Sequence, residues 1–151
     1  MKIFIGADHR GFQLKKKIIK FLTDKKYTVV DLGIHEEGVI CDYPKISLKV
    51  GKEVVKSKGS LGILACMTGI GHSIAVNKVL GVRAALCYTK KAAELSRMHN
   101  DANILILGAR FVPQKQLMGI VDAWLKSSFE GGRHLRRVNQ IKKIEKNICS
   151  H

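Results

Sequence analysis

The stretch LGILACMTGIGHSIAVN, residues 61–77, decides the fold. Its first part, 61–65, has the length and apolar content of a buried parallel strand. A cysteine, a threonine and two glycines follow, and the pattern after them predicts a helix over 74–80 that ends at Gly81. A strand that leads through a glycine loop into a helix is the unit of an open α/β sheet, in which ligands bind at the carboxyl ends of the strands.

Cys66 stands at the end of this predicted strand. Exposed backbone N–H groups of the glycine loop and the helix start favour a thiolate at Cys66 and any negative charge that develops on a substrate. The segment therefore predicts a base and an oxyanion site together. The alternative is that Cys66 is a small buried apolar side chain, which is the usual role of a cysteine at a strand end.

The same alternation extends over the chain. The predicted strands are 2–8, 27–33, 61–66, 82–87 and 103–108. The predicted helices are 11–22, one that begins near Pro44, 74–80, 89–98 and one that begins at Pro113. Five such β-α units predict a parallel sheet with helices on both faces. The chain is therefore expected to form one domain, 1–151.

A last helix is predicted over 133–148, after the break at Gly131 and Gly132. It carries one apolar stripe, formed by Val138, Ile141, Ile144 and Ile148. The five-unit core is complete without this helix. We therefore expect it to pack on a partner subunit, and the protein to form a dimer.

The formal net charge of +15 limits the function classes. The lysines occur mostly in short runs, which are typical of solvated helix faces. The alternative is that they create a positive field that attracts a phosphorylated metabolite or nucleic acid. An aromatic content of 6% and the absence of a nucleic-acid motif argue against the latter. No apolar run approaches the ~20 residues of a membrane span, and no signal peptide is recognisable. We expect a cytoplasmic protein with no membrane partner.

Cysteine and glycine spacing argues against two kinds of site. The four cysteines lack CxxC pairing and matching histidine spacing, so neither a zinc site nor a disulfide framework is expected, and reduced thiols are predicted. Gly69 and Gly71 resemble part of a dinucleotide fingerprint. That fingerprint needs a third small residue, where Ile74 stands, and an acid about 20 residues on, which is missing.

Polar side chains gather at the predicted strand ends. They are Asp8, His9, Arg10, Cys66, Thr68 and Arg110, with His99, Asn100 and Asp101 before the fifth strand. The sequence predicts that one mouth of the sheet gathers them. Each of these residues also has a purely structural interpretation. Asp8 and His9 could be turn residues, and His99 could cap the end of a helix. Arg133 and Arg137 are four residues apart and share a helical face, so they could bind a phosphate together. The alternative is that they form an exposed basic helix end. His35, His72 and His151 are interpreted as structural.

Six segments together resemble the ribose-5-phosphate isomerase B family, which includes galactose-6-phosphate and allose-6-phosphate isomerases. They are GADHRGF (6–12), DYP (42–44), TGIGHSIAVNK (68–78), HNDAN (99–103), LGAR (107–110) and FEGGRH (129–134). The resemblance implies a Rossmann-like three-layer α/β/α sandwich with a five-stranded parallel sheet and an extra C-terminal helix. It also implies a homodimer or a dimer of dimers with sites across the interface, a sugar-phosphate substrate, and no metal or organic cofactor.

The resemblance also implies residue roles. Cys66 would move a proton between C2 and C1 of the open-chain sugar, and backbone N–H groups of Gly69, Ile70 and Gly71 would hold the cis-enediolate. His99, with Asp8 and Thr68 nearby, would open the furanose ring. Asn100 would position the sugar hydroxyls. The residues that would bind the phosphate are His9, Arg110, Arg133 and Arg137, with His134 beside them.

Two residues depart from the family pattern. Met67 stands where glycine is common, and His72 where an apolar residue is more usual. Neither change removes an implied catalytic group, so interconversion of ribose 5-phosphate and ribulose 5-phosphate is expected. The alternatives are an isomerase of allose or galactose 6-phosphate, a sugar-phosphate binder without activity, and a basic nucleic-acid-binding protein.

Overall fold

A computed structural model describes residues 1–148. Cys149 and His151, interpreted above as a reduced thiol and a structural histidine, lie outside the described residues. The strands are β1 (Lys2–Ala7), β2 (Thr28–Asp31), β3 (Leu61–Cys66), β4 (Ala84–Leu86) and β5 (Ile104–Gly108). The helices are α1 (Phe12–Asp24), α2 (Tyr43–Lys56), α3 (Ile70–Val76), α4 (Lys90–Asn100), α5 (Gln114–Lys126) and α6 (Gly132–Ile148).

The five strands form one parallel sheet in the order β2-β1-β3-β5-β4. The central strand β3 is buried along its whole length, which fits its uninterrupted apolar sequence. Its register pairs Ala65 with Ala7 of β1, and Cys66 with Gly108 of β5. The carboxyl ends of β1, β3 and β5 therefore lie side by side, with Cys66 in the middle.

Helices cover both faces of the sheet and bury two apolar clusters. On one face, α1 and α5 contribute Leu14, Ile18, Leu117, Ile120 and Trp124. On the other face, α2 and α3 contribute Ile46, Val50, Val54 and Val76. These residues recur at the spacing of one helical face, so the helices bury their apolar stripes on the sheet. The predicted three-layer α/β/α fold is confirmed.

The structure corrects one helix boundary. Helix α3 runs over Ile70–Val76, whereas 74–80 was predicted, so it begins four residues earlier and ends at Val76. The residue before it, Gly69, has φ 83°, a left-handed conformation that favours glycine and lets the chain turn sharply out of the strand. The consequence is that the glycine loop is shorter than predicted and the first turn of α3 lies directly beside Cys66.

Helix α6 leaves most of its apolar stripe uncovered. Val138 is buried, but Ile141, Ile144 and Ile148 are 40%, 58% and 70% exposed. The helix packs on α4 at its amino-terminal half, where His134 meets His99. In residues 1–148, no helix is long and apolar enough to cross a membrane.

Candidate active site

Asp8 and Cys66 form a buried pair at the carboxyl ends of β1 and β3. The Cys66 Sγ lies 2.9 Å from Asp8 Oδ2 and donates to it. The other carboxylate oxygen, Oδ1, accepts from the backbone N–H of Gly11 at 2.8 Å. Both side chains are less than a tenth exposed. The Asp8 carboxylate is therefore fixed by the backbone and holds the thiol in one orientation.

The pKa of Cys66 is raised, contrary to the expectation that the loop favours a thiolate. Burial is the largest cause and the hydrogen bond to Asp8 the second, while the backbone at Gly69 and Thr68 lowers the pKa. The N–H groups therefore act in the predicted direction, but desolvation and a nearby carboxylate outweigh them. Cys66 is protonated until substrate binding or a proton acceptor changes its surroundings.

The loop between β3 and α3 presents backbone donors beside the thiol. The Thr68 hydroxyl accepts from the Ile70 N–H at 3.3 Å, and the Thr68 carbonyl accepts from the Tyr88 hydroxyl at 3.1 Å. A Cβ on Gly108 would lie 2.2 Å from that carbonyl, so the loop packs directly on the end of β5. This close approach fixes the loop, and with it the N–H groups predicted to hold an oxyanion.

His72, interpreted as structural from the sequence, lies fully buried beside this pair. Its Nδ1 is 2.7 Å from the Ser47 hydroxyl oxygen, and the Ser47 hydroxyl donates its proton to the Tyr43 carbonyl at 2.9 Å. Burial is the main reason that the pKa of His72 is lowered to about 4. One ring nitrogen of His72, the thiol of Cys66 and a carboxylate oxygen of Asp8 lie within 4.8 Å of one another.

The rim of this cluster is basic. The Arg10 guanidinium donates to Met67 Sδ at 3.5 Å, and the backbone N–H of Arg110 donates to the Met67 carbonyl at 2.9 Å. His9 is half-buried, and its buried Nδ1 has no hydrogen-bond partner among the described residues. The Arg10 and Arg110 side chains are exposed, and such cationic groups suit an anionic oxygen as ligand.

A second cluster contains His99, His134 and Glu130. The two imidazoles stack at 4.1 Å between ring centroids with 5° between their planes. A Glu130 carboxylate oxygen lies 3.8 Å from His99 Nε2 and 3.5 Å from His134 Nε2. Desolvation, and then the charges of His99 and Arg133, lower the pKa of His134. His99 keeps about a third of its surface exposed, so it can still contact a ligand.

Arg133, Arg137 and Asn100 surround this second cluster. Arg133 and Arg137 are exposed and lie one turn apart on α6, as the sequence predicts. The Arg133 Nε lies 3.4 Å from His134 Nε2. Asn100 ends α4, and its side chain is exposed. The two guanidinium groups give this surface, next to the two imidazoles, the positive charge that suits a phosphate.

The two clusters lie at opposite ends of the sheet, so the prediction that one mouth gathers all these residues is wrong within one chain. Helix α4 begins near the carboxyl end, where Tyr88 contacts the Thr68 carbonyl. It ends at the amino end, where the Asn100 carbonyl accepts from Arg83, the residue before β4. A strand of β3's length spans roughly 17 Å. His99 therefore cannot reach Cys66 of its own chain.

Sequence reasoning missed three residues of these clusters. Glu130 precedes His134 by four residues, and that helical spacing of an acid and a histidine could have pointed to it. Tyr43 and Ser47 precede β3 by 18 and 14 residues, and no local pattern links them to His72. A Cβ on Gly71 would lie 2.6 Å from the Tyr43 ring, which shows how closely α2 packs on the glycine loop.

The chain matches known proteins over almost its whole length. A family model described as Ribose/Galactose Isomerase matches residues 3–141. Ribose-5-phosphate isomerase B of Escherichia coli is 44% identical over 144 residues, which cover 95% of this chain and 96% of that protein. A Clostridium thermocellum ribose-5-phosphate isomerase B structure has a TM-score of 0.95, with 49% identity and coverage of 98% and 99%. The Mycoplasma genitalium enzyme with bound ribulose 5-phosphate has a TM-score of 0.92, with 46% identity and coverage of 96% of both chains.

Proposed function

The chain belongs to the ribose/galactose isomerase family, and on this basis we propose that it interconverts D-ribose 5-phosphate and D-ribulose 5-phosphate. The observation that carries the proposal is the buried Cys66–Asp8 pair beside a loop of backbone donors at the carboxyl end of β3. Relatives at 44–49% identity carry the ribose-5-phosphate isomerase B name, and one of them binds ribulose 5-phosphate.

Ring opening comes first. In this proposal His99, from a second copy of the chain, transfers the proton between the anomeric hydroxyl and the ring oxygen, since its imidazole is about a third exposed and can both donate and accept a proton. Asp8 and Thr68 line the side of the pocket that belongs to the first copy. Asn100 of the second copy positions the sugar hydroxyls.

Proton transfer follows on the open-chain aldose. Cys66, as the thiolate, removes the proton from C2, and the electron pair moves to give a cis-enediolate with its charge on O1. The N–H groups of Gly69, Ile70 and Gly71 stabilise that charge. Cys66 then returns the proton to C1 while the proton on O2 passes to O1, which gives the ketose. No step of this proposed reaction uses a metal or an organic cofactor.

The phosphate is held by arginine and histidine side chains from both copies. His9, with its unpartnered Nδ1, and Arg110 lie on the rim around Cys66. Arg133, Arg137 and His134 come from the second copy, on the surface around its His99. Binding energy at the phosphate, which does not react, positions C1 and C2 against the thiol.

Self-association is the second part of the proposal. The apolar stripe of α6, together with the edge strand β4, lines a groove that contains Ala85, Ile141 and Ile144. On α3, Ile70 and Ile74 are 50% and 63% exposed, next to the Cys66 loop. Exposed apolar surface beside each half of the site is typical of an interface between subunits. We propose a homodimer in which each pocket combines the Cys66 end of one copy with the His99 end of the other.

Turnover of ribose 5-phosphate by the purified protein tests the function. Formation of ribulose 5-phosphate is measured in the presence of a chelator, with allose 6-phosphate and galactose 6-phosphate assayed in parallel. Rapid turnover of the pentose is expected. Faster turnover of either hexose phosphate would replace the proposed substrate. Binding of all three sugars by folded protein without turnover would make the chain a sugar-phosphate binder.

A further inference from the structure

His72 adds a third potential ligand to the Asp8–Cys66 pair. The Cys66 sulfur, a carboxylate oxygen of Asp8 and a ring nitrogen of His72 lie within 4.8 Å of one another, and all three side chains are at least nine-tenths buried. Ligand atoms of one tetrahedral zinc ion lie about 3.5 Å apart, so small side-chain rotations bring the three onto one ion. Their separation in sequence explains why cysteine spacing alone gave no hint of this site.

The hydrogen bonds around His72 leave one nitrogen free. The Ser47 hydroxyl has a single proton, which it donates to the Tyr43 carbonyl at 2.9 Å. Ser47 therefore accepts from His72, so the imidazole proton is on Nδ1. Nε2 then carries an unprotonated lone pair, and it has no hydrogen-bond partner among the described residues although it is buried.

This arrangement is that of a metal-ligating histidine. Such a histidine donates its other ring N–H to a neighbouring acceptor, which fixes both tautomer and ring orientation. Asp8 is oriented in a comparable way, because its Oδ1 accepts from the Gly11 N–H at 2.8 Å. Two of the three ligands are thus held in place by contacts outside the cluster.

We propose that Asp8, Cys66 and His72 bind one zinc ion, and that this zinc inhibits the isomerase. Thiolate, imidazole and carboxylate are the ligands that Zn²⁺ takes, and three protein ligands leave a fourth position for water. Binding displaces the thiol proton to solvent, so the sulfur becomes a zinc ligand. Its lone pair is then committed to the metal and cannot accept the C2 proton. The inhibition rests on the proposed function, whereas the binding does not.

A cobalt titration tests the binding directly. Co²⁺ is added to metal-free protein while thiolate-to-cobalt charge-transfer absorption and proton release are recorded. One Co²⁺ per chain is expected, with the absorption removed by excess Zn²⁺ and absent in Cys66→Ala. Cobalt bound without charge-transfer absorption, or no cobalt bound, would overturn the proposal.

Two variants test whether His72 is a ligand of the metal. His72→Leu, which places an apolar residue there, is expected to keep isomerase activity and to need about tenfold or more zinc for the same inhibition. Ser47→Ala keeps the imidazole and removes its acceptor, so a similar loss, by roughly 10-fold to 100-fold in affinity, is expected even if His72→Leu fails to fold. Unchanged metal affinity in folded His72→Leu or in Ser47→Ala would contradict the proposal.

Glu130→Gln is the matched control. It alters the other group of potential ligands, His99, Glu130 and His134, which also lie within 4.8 Å of one another. The cobalt spectrum is expected to be unchanged in this variant, and a lost spectrum would move the metal to that cluster. A normal cobalt spectrum in a protein that does not isomerise ribose 5-phosphate would leave the metal site standing and refute the proposed function.

Discussion

The two ends of the sheet differ in how complete they are. At the carboxyl end, Asp8 and Cys66 are buried and hydrogen-bonded to each other within one chain. At the amino end, His99 is a third exposed and the arginines of α6 are exposed. The first end resembles a finished catalytic centre, whereas the second resembles a surface prepared for a ligand that another molecule holds.

This difference follows from the needs of the two tasks. A base must be held in one orientation with little solvent, since the proton transfer tolerates only small errors in distance. Groups that bind a charged phosphate and open a ring must meet a ligand that arrives from solvent, so they have to be exposed. In the proposed homodimer the two tasks are divided between the two ends, and one chain supplies half of each of two sites.

Removing the base is expected to have the largest effect. Cys66→Ala leaves no group at the end of β3 that can accept the C2 proton, and a positioned base contributes about 10²-fold to 10⁴-fold. We expect kcat to fall by about 10³-fold while the affinity for ribose 5-phosphate, measured by calorimetry, changes little. Cys87→Ala, a buried thiol at the end of β4, is the control and should retain activity. Near-normal turnover by Cys66→Ala would remove Cys66 from the mechanism.

Subunit complementation tests whether the two ends act together across copies. Cys66→Ala and His99→Asn, each nearly inactive alone, are co-expressed with different tags. Random pairing gives about half mixed dimers, and one site in each has both groups intact, so about a quarter of normal activity is expected. His99 acting on its own chain's Cys66 would give no recovery. Recovery would also establish the homodimer.

The fold was largely predictable from the sequence, because each strand and helix has a local apolar pattern. The glycine loop, the buried strand at 61–66 and the exposed stripe of α6 were all visible in that way. The division of the site was missed, although it follows from the predicted parallel topology. In each β-α unit the helix runs back from the carboxyl end to the amino end of the sheet, so His99, near the end of α4 and before β5, lies at the amino end.

The cluster around His72 was hidden for a related reason. Asp8, Ser47 and His72 come from three elements that are distant in sequence, and only the order of β1 next to β3 brings them together. The raised pKa of Cys66 was missed because burial and a neighbouring carboxylate are tertiary properties, whereas a helix start is a local one.

Loss of a phosphate ligand should have an intermediate effect at the amino end. If Arg137 binds the phosphate as proposed, Arg137→Ala removes a charge-assisted hydrogen bond worth about 1.5–3 kcal/mol, so KM is expected to rise by roughly 10-fold to 100-fold with a smaller change in kcat. Arg136→Ala is the matched control, because Arg136 is its exposed neighbour in α6. Steady-state kinetics of both variants make the comparison. An equal rise in both would indicate general loss of positive charge, and an unchanged KM in Arg137→Ala would place the phosphate elsewhere.

The smallest effect is expected from Asp8→Asn, as a shift in pH dependence at the carboxyl end. The base must be ionised to act, so kcat/KM of the wild type should rise as pH increases toward the raised pKa of Cys66. The Asp8 carboxylate raises this pKa by accepting from the thiol and by its charge. Its neutral replacement lowers the pKa, and the rise in kcat/KM moves to lower pH.

Alkylation of Cys66 by iodoacetamide at a series of pH values measures the same ionisation without the chemical step, with Cys66→Ala supplying the background from the other thiols. In Asp8→Asn the alkylation and kcat/KM curves should move together to lower pH, whatever happens to the maximal rate. A shift of kcat/KM alone would mean that a group other than the thiol controls the profile. Unmoved curves in both measurements would show that Asp8 does not govern the thiol. The carboxyl end would then be less self-contained than its hydrogen bonds indicate, and its base would depend on a group that the second copy supplies.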